Sequence, residues 1–442
     1  MKKTEIIFSF DTEDFTSCTA QDAVVREAEI LQKEGIRGGF CVVGLLAKQM
    51  MAWGREDVRE ALRHHDVLNH SYGHSLHPTI NEYTDTEDFS VAHDKVIREE
   101  SESMRLITAF TGRTDILGAC PPGNQKSYAA MYAYADMGLP IYADTFCDTP
   151  DGRGTFYCNI YHIQYTFCME SFFKDDSEEG MKRILDHLAT KRRAICYTHP
   201  NCAMYSEFWD IVNYYKENKH PFGEWEEAPR RPLADTERFY ESLRRFIRMI
   251  KADERFCIID YRTLAARLQK EEPRRITLAD IPAIKRALTK DFAPIASPSL
   301  SLSDVFLACR NFLLGESAHV CGKVYGFLST PCAITAPITV TREEMCASAA
   351  SIDADGFLPP AIRVGSHTLG PADWMMAALE ILSGADSAGL LPRPQLPSLD
   401  MLPSVKAAAF RGGWVQSDSF LDEYLSDRLR LQSWTLRFAE EE

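Results

Sequence analysis

The sequence predicts an α/β protein whose parallel sheet is either open or closed into a barrel. Short apolar segments alternate with amphipathic helices over residues 1 to 270 of the 442-residue chain. Such alternation is typical of parallel strands, because a parallel pair needs a helical crossover between its members. The number of apolar segments suits an incomplete barrel, in which the carboxyl ends of the strands share one rim.

The apolar segments are predicted as strands at 5–10, 39–43, 67–69, 116–119, 141–143, 194–197 and 256–260. The helices between them are predicted at 20–33, 92–110, 128–137 and 180–190. A later helix has the clearest pattern, because its apolar residues recur at i, i+4, i+7, i+8 and i+11. These residues are Phe239, Leu243, Phe246, Ile247 and Ile250.

The length of the chain predicts two or three domains, since one core rarely serves so many residues. The alternating pattern defines a first domain over 1–270. Residues 271–299 are rich in proline, serine and charge, and they predict a linker. Residues 300–442 predict a smaller, mainly helical domain with a weak internal repeat, in which 300–308 resembles 369–377.

The composition excludes several classes of protein. A net charge of −15 argues against a nucleic-acid partner. No segment has the apolar length of a signal peptide or a membrane span, so no membrane partner is expected. The thirteen cysteines include no CxxC pair, which indicates reduced thiols and a cytoplasmic protein. The sequence leaves open whether the protein forms a homo-oligomer.

The candidate site begins with His70 and His74, whose spacing places two imidazoles on one side of a helical turn. The first predicted strand runs into Asp11, and Glu13 and Asp14 follow directly. Parallel strands bring their carboxyl ends to one edge of a sheet. These carboxylates and imidazoles can therefore converge on one cation.

Two further segments reach the same edge. One is a rigid turn that contains Pro121, Pro122 and Gly123, and the other is a predicted strand that leads to His199. One carboxylate with two histidines leaves a metal with open positions, which is typical of a catalytic site. A second carboxylate can take a proton from water, and a separate histidine can protonate a leaving nitrogen. The set indicates hydrolysis of an amide.

In this order the motifs resemble those of the polysaccharide deacetylases with the NodB homology fold, carbohydrate esterase family 4. Ser9-Phe10-Asp11 resembles the first motif, and Asn69-His70-Ser71-Tyr72-Gly73-His74 resembles the second. Ala119-Cys120-Pro121-Pro122-Gly123 resembles the third, and Tyr197-Thr198-His199 resembles the last. The resemblance covers residues 1 to about 265 and implies a distorted (β/α)7-type barrel.

The resemblance also implies roles for the residues that match it. Asp11 is expected to be the base and His199 the acid of a metal-dependent deacetylase. His70 and His74 are expected to bind the metal, and the turn at 121–123 is expected to contact the substrate.

Two positions depart from the family pattern. Thr12 stands where the family has a second aspartate, so Glu13 is the expected third ligand, with Asp14 in reserve. Alternate residues of an extended segment share a face, which places Asp11 and Glu13 together. Ala119 stands where the family has an arginine that steadies the catalytic aspartate.

The leading hypothesis is therefore a metal-dependent hydrolase that removes an N-acetyl group from a glycan or a small amide. Zinc is the default metal, although iron, cobalt and nickel fit the same ligands. One alternative, favoured by Ala119, is a catalytically impaired protein that binds a metal or a glycan. Another is an amidohydrolase that acts on a non-sugar amide such as a cyclic ureide.

Two features fall outside these motifs. Residues 339–343 and 356–369 resemble a pseudomurein-binding repeat, which implies contact with a cell-wall glycan. Aromatic residues between Phe208 and Trp225 can stack on sugar rings, but their spacing equally fits a packed helix and loop. We favour a core role for this aromatic cluster.

Overall fold

The structure is a computed structural model that describes residues 2–144, 146–147, 149–400, 405 and 415–440. The described residues form two compact units. The first unit takes the described parts of 1–154, 160–270 and 409–425, and the second takes those of 155–159, 271–408 and 426–442.

The strands of the described residues are numbered in chain order. They are β1 Thr4–Thr12, β2 Gly39–Val42, β3 Asp66–Asn69, β4 Ile141–Asp144, β5 Thr155–Tyr157, β6 Ile160–Cys168, β7 Arg193–Thr198, β8 Phe256–Ile258, β9 Arg275–Thr277, β10 Ile295–Ala296, β11 Ser299–Leu300, β12 Ala318–Val320, β13 Ile338–Thr341, β14 Ile362–Val364, β15 His367–Leu369, β16 Ser387–Leu390 and β17 Arg437–Phe438.

The α-helices are numbered in the same way. They are α1 Gln21–Lys33, α2 Gly44–Trp53, α3 Glu56–Leu62, α4 Ile80–Thr84, α5 Phe89–Thr111, α6 Tyr128–Asp136, α7 Glu178–Leu188, α8 Pro200–Met204, α9 Trp209–Tyr214, α10 Leu233–Ala252, α11 Tyr261–Leu268, α12 Ile281–Lys290, α13 Leu302–Leu313, α14 Arg342–Ala349, α15 Pro371–Leu382 and α16 Leu425–Leu431. In the part of the chain that the structure describes, no helix combines the length and apolar character needed to cross a bilayer.

The first unit is a mixed α/β fold built on a largely parallel sheet. Strand β1 lies at the centre, with β7 along one side and β8 and then β2 along the other. Strand β3 continues beyond β2, and β6 and then β4 continue beyond β7. These pairings are all parallel, so the carboxyl ends of the strands lie along one edge of the sheet.

The assigned strands do not form a closed ring, so the predicted barrel is not shown. The segment predicted as a strand at 116–119 is not a strand, although Ala119 makes isolated parallel bridges to Asn69 and Tyr142. The proline that follows at 121 has no backbone N–H to donate, so this ladder cannot extend further.

The long helix α10 has the buried face that its sequence pattern predicts. Phe239, Leu243, Phe246, Ile247 and Ile250 are at most 1% exposed. They pack into the core beneath the sheet of the first unit. The helical period therefore identified this face from the sequence alone.

The second unit contains the same order of elements twice. A strand, a helix, a β-hairpin, a helix and a final strand form the first copy from β9 to β12, and the second copy runs from β13 to β16. In each copy the first and last strands pair antiparallel. The second unit thus combines helices with two-stranded sheets, whereas the sequence predicted a mainly helical domain.

The segment predicted as a linker, 271–299, is folded. It contains β9, α12 and the β10–β11 hairpin, which are the first elements of the first copy. Ile281, Ile284 and Leu288 form a short buried stripe on α12. The charged residues at 271–275 that suggested a linker precede this helix: Arg275 begins β9, and Arg274 pairs with Asp304 at 3.0 Å.

We expect Ile284→Ala to destabilise the second unit, because Ile284 is 3% exposed in its core. Removing such a buried side chain costs about 2–5 kcal/mol of unfolding free energy. Limited trypsin digestion followed by mass spectrometry should show faster cleavage at Lys285 and Lys290 in this variant. Arg286→Ala, on the exposed side of the same helix, is the control: it loses the tryptic site at 286 but should be cleaved at Lys285 and Lys290 at the wild-type rate. Equal, rapid cleavage in all three proteins would restore the linker interpretation.

Candidate metal and catalytic site

The parallel sheet gathers the predicted site residues at one edge. Glu13 follows β1, His70 follows β3 and His199 follows β7. Glu170 lies just after β6. These side chains line one cleft of about 560 Å³ in the first unit, together with Asp11 and His74. The arrangement follows from strand direction, as expected for an α/β protein.

The three predicted metal ligands lie together. Oε2 of Glu13 is 2.9 Å from Nε2 of His74 and 3.4 Å from Nε2 of His70. One donor atom from each side chain lies within 4.8 Å of the other two. All three residues are buried. A carboxylate and two imidazoles that converge in this way are a donor set suited to a divalent transition metal.

The two histidines converge from a turn and not from a helix. Ser71 and His74 have φ angles of 66° and 51°, in the left-handed region that side chains other than glycine rarely adopt. The hydroxyl of Ser71 accepts a hydrogen bond from the backbone N–H of His74 at 3.0 Å. The predicted helical turn is therefore wrong, although the predicted proximity of the rings holds, with centroids 5.1 Å apart.

The outer nitrogen of each imidazole has a hydrogen-bond partner. Nδ1 of His70 lies 2.8 Å from the backbone carbonyl oxygen of Cys120, which can only accept. Nδ1 of His74 lies 2.7 Å from the hydroxyl of Ser75, whose own proton goes to Asp210 at 2.6 Å. Both rings must therefore donate from Nδ1, which fixes their orientation and leaves Nε2 toward Glu13.

The orientation of the two imidazoles shows whether a cation fits between them and Glu13. In the neutral rings, Nε2 of each imidazole carries a lone pair, and both lone pairs face the carboxylate of Glu13. Three acceptors that face one another repel unless a proton or a cation lies between them. The donor set of Glu13, His70 and His74 therefore fits a bound metal.

The short helix α9 supports two of the three predicted ligands. Nε1 of Trp209 donates to Oε1 of Glu13 at 3.1 Å. The next residue, Asp210, accepts the hydrogen bond from Ser75 that orients His74. Trp209 is 1% exposed, so part of the predicted aromatic cluster is core, as favoured. Its contact with Glu13 was not predicted, because packing and not spacing decides it.

Burial and charge act in opposite directions on the triad. Burial acts to raise the pKa of Glu13, but His199 and the imidazoles of His74 and His70 outweigh it and hold that pKa well below the usual range. Burial lowers the pKa of His74 itself, although Glu13 acts to raise it. Burial acts to lower the pKa of His70, but the carboxylates of Asp11 and Glu13 raise it overall. The site thus favours an ionised carboxylate with positive charge beside it.

Asp11 has a hydrogen-bond donor although Ala119 cannot supply one. The hydroxyl of Tyr165, on β6, donates to Oδ1 of Asp11 at 2.7 Å. Oδ2 of the same carboxylate lies 3.6 Å from Nε2 of His199. The ring of Tyr165 stacks on Tyr197 with centroids 4.5 Å apart, which fixes its position. Ala119 therefore does not leave Asp11 without a partner.

Two cysteines lie behind Asp11. Sγ of Cys41 is 2.8 Å from Sγ of Cys120, and both residues are buried. Burial and the neighbouring thiol raise the pKa of Cys41 well above its usual value. All thirteen cysteines of the chain are free thiols, in agreement with the sequence.

Glu170 holds His199 through several hydrogen bonds. Its Oε1 lies 2.9 Å from Nδ1 of His199 and accepts from the backbone N–H of the same residue at 2.6 Å. Burial acts to lower the pKa of His199, but Glu170, Glu13 and Asp11 raise it to about 10. His199 is therefore protonated at neutral pH. No strand was predicted before Glu170, so this contact could not be predicted from the sequence.

Asp14, the reserve ligand, does not join the triad. Its Oδ1 accepts hydrogen bonds from the backbone and hydroxyl of Thr16 and from the backbone of Ser17. Burial raises the pKa of Asp14 to about 7. Because it accepts three hydrogen bonds from Thr16 and Ser17, the carboxylate organises the loop that leads into α1.

The predicted substrate turn reaches the cleft only in part. Pro121 and Gly123 line it, whereas Pro122 begins a short 3₁₀ turn and is not among the lining residues. Gly123 has a φ of 54°, and a Cβ there would lie 2.7 Å from Val415. The turn therefore requires glycine at this position.

No family model matches the sequence. No curated protein matches it either. Similar solved structures include a candidate polysaccharide deacetylase from Mycobacterium smegmatis, with 16% identity over 63% of this chain and 95% of that chain and a TM-score of 0.41. A family 4 carbohydrate esterase from Streptomyces lividans has 14% identity over 60% of this chain and 96% of that chain, with a TM-score of 0.31.

A carbohydrate esterase family 4 pseudoenzyme from Bacillus anthracis has 14% identity over 60% of this chain and 66% of that chain, with a TM-score of 0.35. These similarities are too weak to establish family membership or activity. The resemblance to a pseudomurein-binding repeat stays a prediction.

We expect Trp209→Phe to weaken metal binding by the triad about tenfold to a hundredfold, the usual effect of losing an outer hydrogen bond to a ligand. Phenylalanine keeps the packing against Phe15 but cannot donate to Glu13. Competition with a metal chelator measures the affinity. Trp225→Phe is the matched control, because the indole of Trp225 donates to Tyr214 instead. Equal affinities in the two variants would contradict the role of Trp209.

Proposed function

We propose that this chain is a metal-dependent hydrolase that removes an N-acetyl group from a glycan or a small amide. The observation that carries the proposal is the pairing of Asp11 and His199 in the same cleft as the Glu13, His70 and His74 triad. A carboxylate acceptor and a protonated imidazole beside a cation site are the parts that amide hydrolysis needs.

Glu13, His70 and His74 would hold the divalent metal, with zinc as the default. A metal bound there would polarise the substrate carbonyl and make a neighbouring water more acidic. Each of these three side chains also has a hydrogen-bond partner in the protein, which supports this role. The bridges of Ala119 to β3 and β4 support the further prediction of a barrel around the site.

Asp11 would accept the proton of the attacking water. Tyr165 donates to one carboxylate oxygen, which holds the group in place and leaves the other oxygen on the cleft side toward His199. The partner that Ala119 cannot supply is thus replaced. This contact argues against the alternative of a catalytically impaired protein.

His199 would protonate the departing nitrogen. Glu170 occupies Nδ1, so the proton on Nε2 faces the cleft. The raised pKa of His199 supplies that proton at neutral pH. The products are then a free carboxylic acid and an amine, with each proton accounted for by Asp11 and His199.

The metal content of the purified protein tests the first part of the proposal. We expect about one divalent metal per chain, lost in His70→Ala and in His74→Ala, because each removes a ligand. Elemental analysis by plasma mass spectrometry measures it and identifies the metal. His187→Ala, on the exposed side of α7, is the control and should keep the metal. An absence of metal after reconstitution would rule out the proposed chemistry.

Acetate release tests the second part. We expect Asp11→Asn to lower kcat by about a hundredfold or more while metal is retained, since it removes the base. N-acetylated sugars, simple N-acetyl amides and cyclic ureides serve as substrates, so the assay also separates the non-sugar alternative. Turnover at the wild-type rate in Asp11→Asn would contradict the assignment of the base.

The pH profile tests the acid. His199 must be protonated to act, and its raised pKa means that activity is kept at neutral pH and lost as the pH rises through the alkaline range. We expect Glu170→Gln to move this alkaline limb to lower pH, because it removes the negative charge that raises the pKa. Glu179→Gln, which changes an exposed carboxylate on α7, should leave the profile unchanged. Identical profiles in all three proteins would exclude His199 as the acid.

A further inference from the structure

Two cationic side chains line the cleft without an acidic partner. Lys174 and Arg231 both belong to the cleft wall. Within the described residues, neither forms an ion pair. The chain carries a net charge of −15, so a carboxylate is rarely far from a cation on its surface. Two unpaired cations at one cleft therefore need an explanation.

Arg231 is held in a fixed position. Its Nε donates to the backbone carbonyl oxygen of Cys202 at 2.8 Å, and its guanidinium lies 3.8 Å from the ring centre of Phe173. Phe173 stacks in turn on Phe239, with centroids 4.9 Å apart and 11° between the planes. Phe239 is 1% exposed, so this stack rests on the core. The terminal nitrogens of the guanidinium are thus positioned but make no hydrogen bond within the described residues.

Both cations belong to the side of the cleft that carries the proposed acid. Lys174 ends the 3₁₀ turn that carries Glu170, and it directly follows Phe173. Arg231 is bonded to Cys202, whose backbone N–H donates to the carbonyl oxygen of His199. The departing amine receives its proton from His199, so the amine half of the substrate lies toward these cations.

Most of the carboxylates in the cleft are committed elsewhere. Asp11 pairs with Tyr165, Glu13 with the two ligand histidines, and Glu170 with His199. Of the four carboxylates that line the cleft, three are thus engaged by other side chains, and Glu207 is exposed to water.

We propose that the substrate carries an acidic group, a carboxylate or a phosphate, on its amine half, and that Lys174 and Arg231 bind it. This inference rests on the proposed function. A planar guanidinium held by its Nε presents its remaining donors in the fork that matches a carboxylate or a phosphate. Because the arginine is already fixed, little conformational entropy is lost when the anion binds.

Three compounds that share one N-acetyl amide test the proposal: N-acetylglucosamine, N-acetylmuramic acid and N-acetylglucosamine 6-phosphate. Calorimetric titration of the metal-loaded protein measures their affinities. We expect at least one acidic compound to bind about tenfold or more tightly than the neutral sugar, and added salt to reduce this preference. The carboxylate and phosphate arms show which anion the site prefers. Acidic compounds that bind no better than the neutral sugar would overturn the proposal.

Variants of the two cations locate the effect. We expect Arg231→Gln and Lys174→Met each to reduce the preference for the acidic compound about tenfold and to leave the affinity for the neutral sugar unchanged. Lys182→Met removes an exposed charge from α7 and is the matched control. An unchanged preference in both cleft variants would show that the anion binds elsewhere.

Acetate release separates this inference from the function on which it rests. Tight binding of an acidic compound that depends on Arg231, with no acetate released, would keep the anion site and reject the hydrolase. Acetate released from the neutral sugar with a kcat/KM equal to or above that of both acidic compounds would keep the hydrolase and reject the anion site.

Discussion

The site depends on one constraint, the burial of the Glu13 carboxylate. A charge removed from water must be met by hydrogen bonds or by opposite charge. Glu13 is met on one side by the indole of Trp209 and on the other by two imidazoles. The left-handed backbone at His74 and the position of α9 both serve this contact. The three side chains are thus fixed in position, and a cation bound between them would offset the charge of the buried carboxylate.

The other charged groups of the cleft also pair negative charge with positive charge. Asp11 and Glu170 add two more carboxylates to the cleft, and His199 lies between them. The negative charge of these carboxylates raises the pKa of His199, so the imidazole carries a proton at neutral pH. Tyr165 supplies a neutral hydrogen-bond donor to Asp11. The electrostatics of the site thus come from a few residues that follow four parallel strands of the sheet, β1, β3, β6 and β7.

The sequence predicted the residues that follow strands but not those that support them. Glu13, His70 and His199 could be placed together because parallel strands end at one edge, whatever the details of packing. Tyr165 and Trp209 contact residues 154 and 196 positions away, which no local pattern encodes. The stripe of α12 was missed for a different reason, since three apolar residues among charges are too few to outweigh a linker-like composition.

The position of Trp209 gives the site an intrinsic optical reporter. Its ring lies 5.4 Å from His74, and its N–H is bonded to Glu13. The emission of a buried indole responds to the charge and hydrogen bonding around it. Occupancy of the triad, and quenching by a paramagnetic or heavy ion there, should therefore change the emission of Trp209, one of the six tryptophans of the chain.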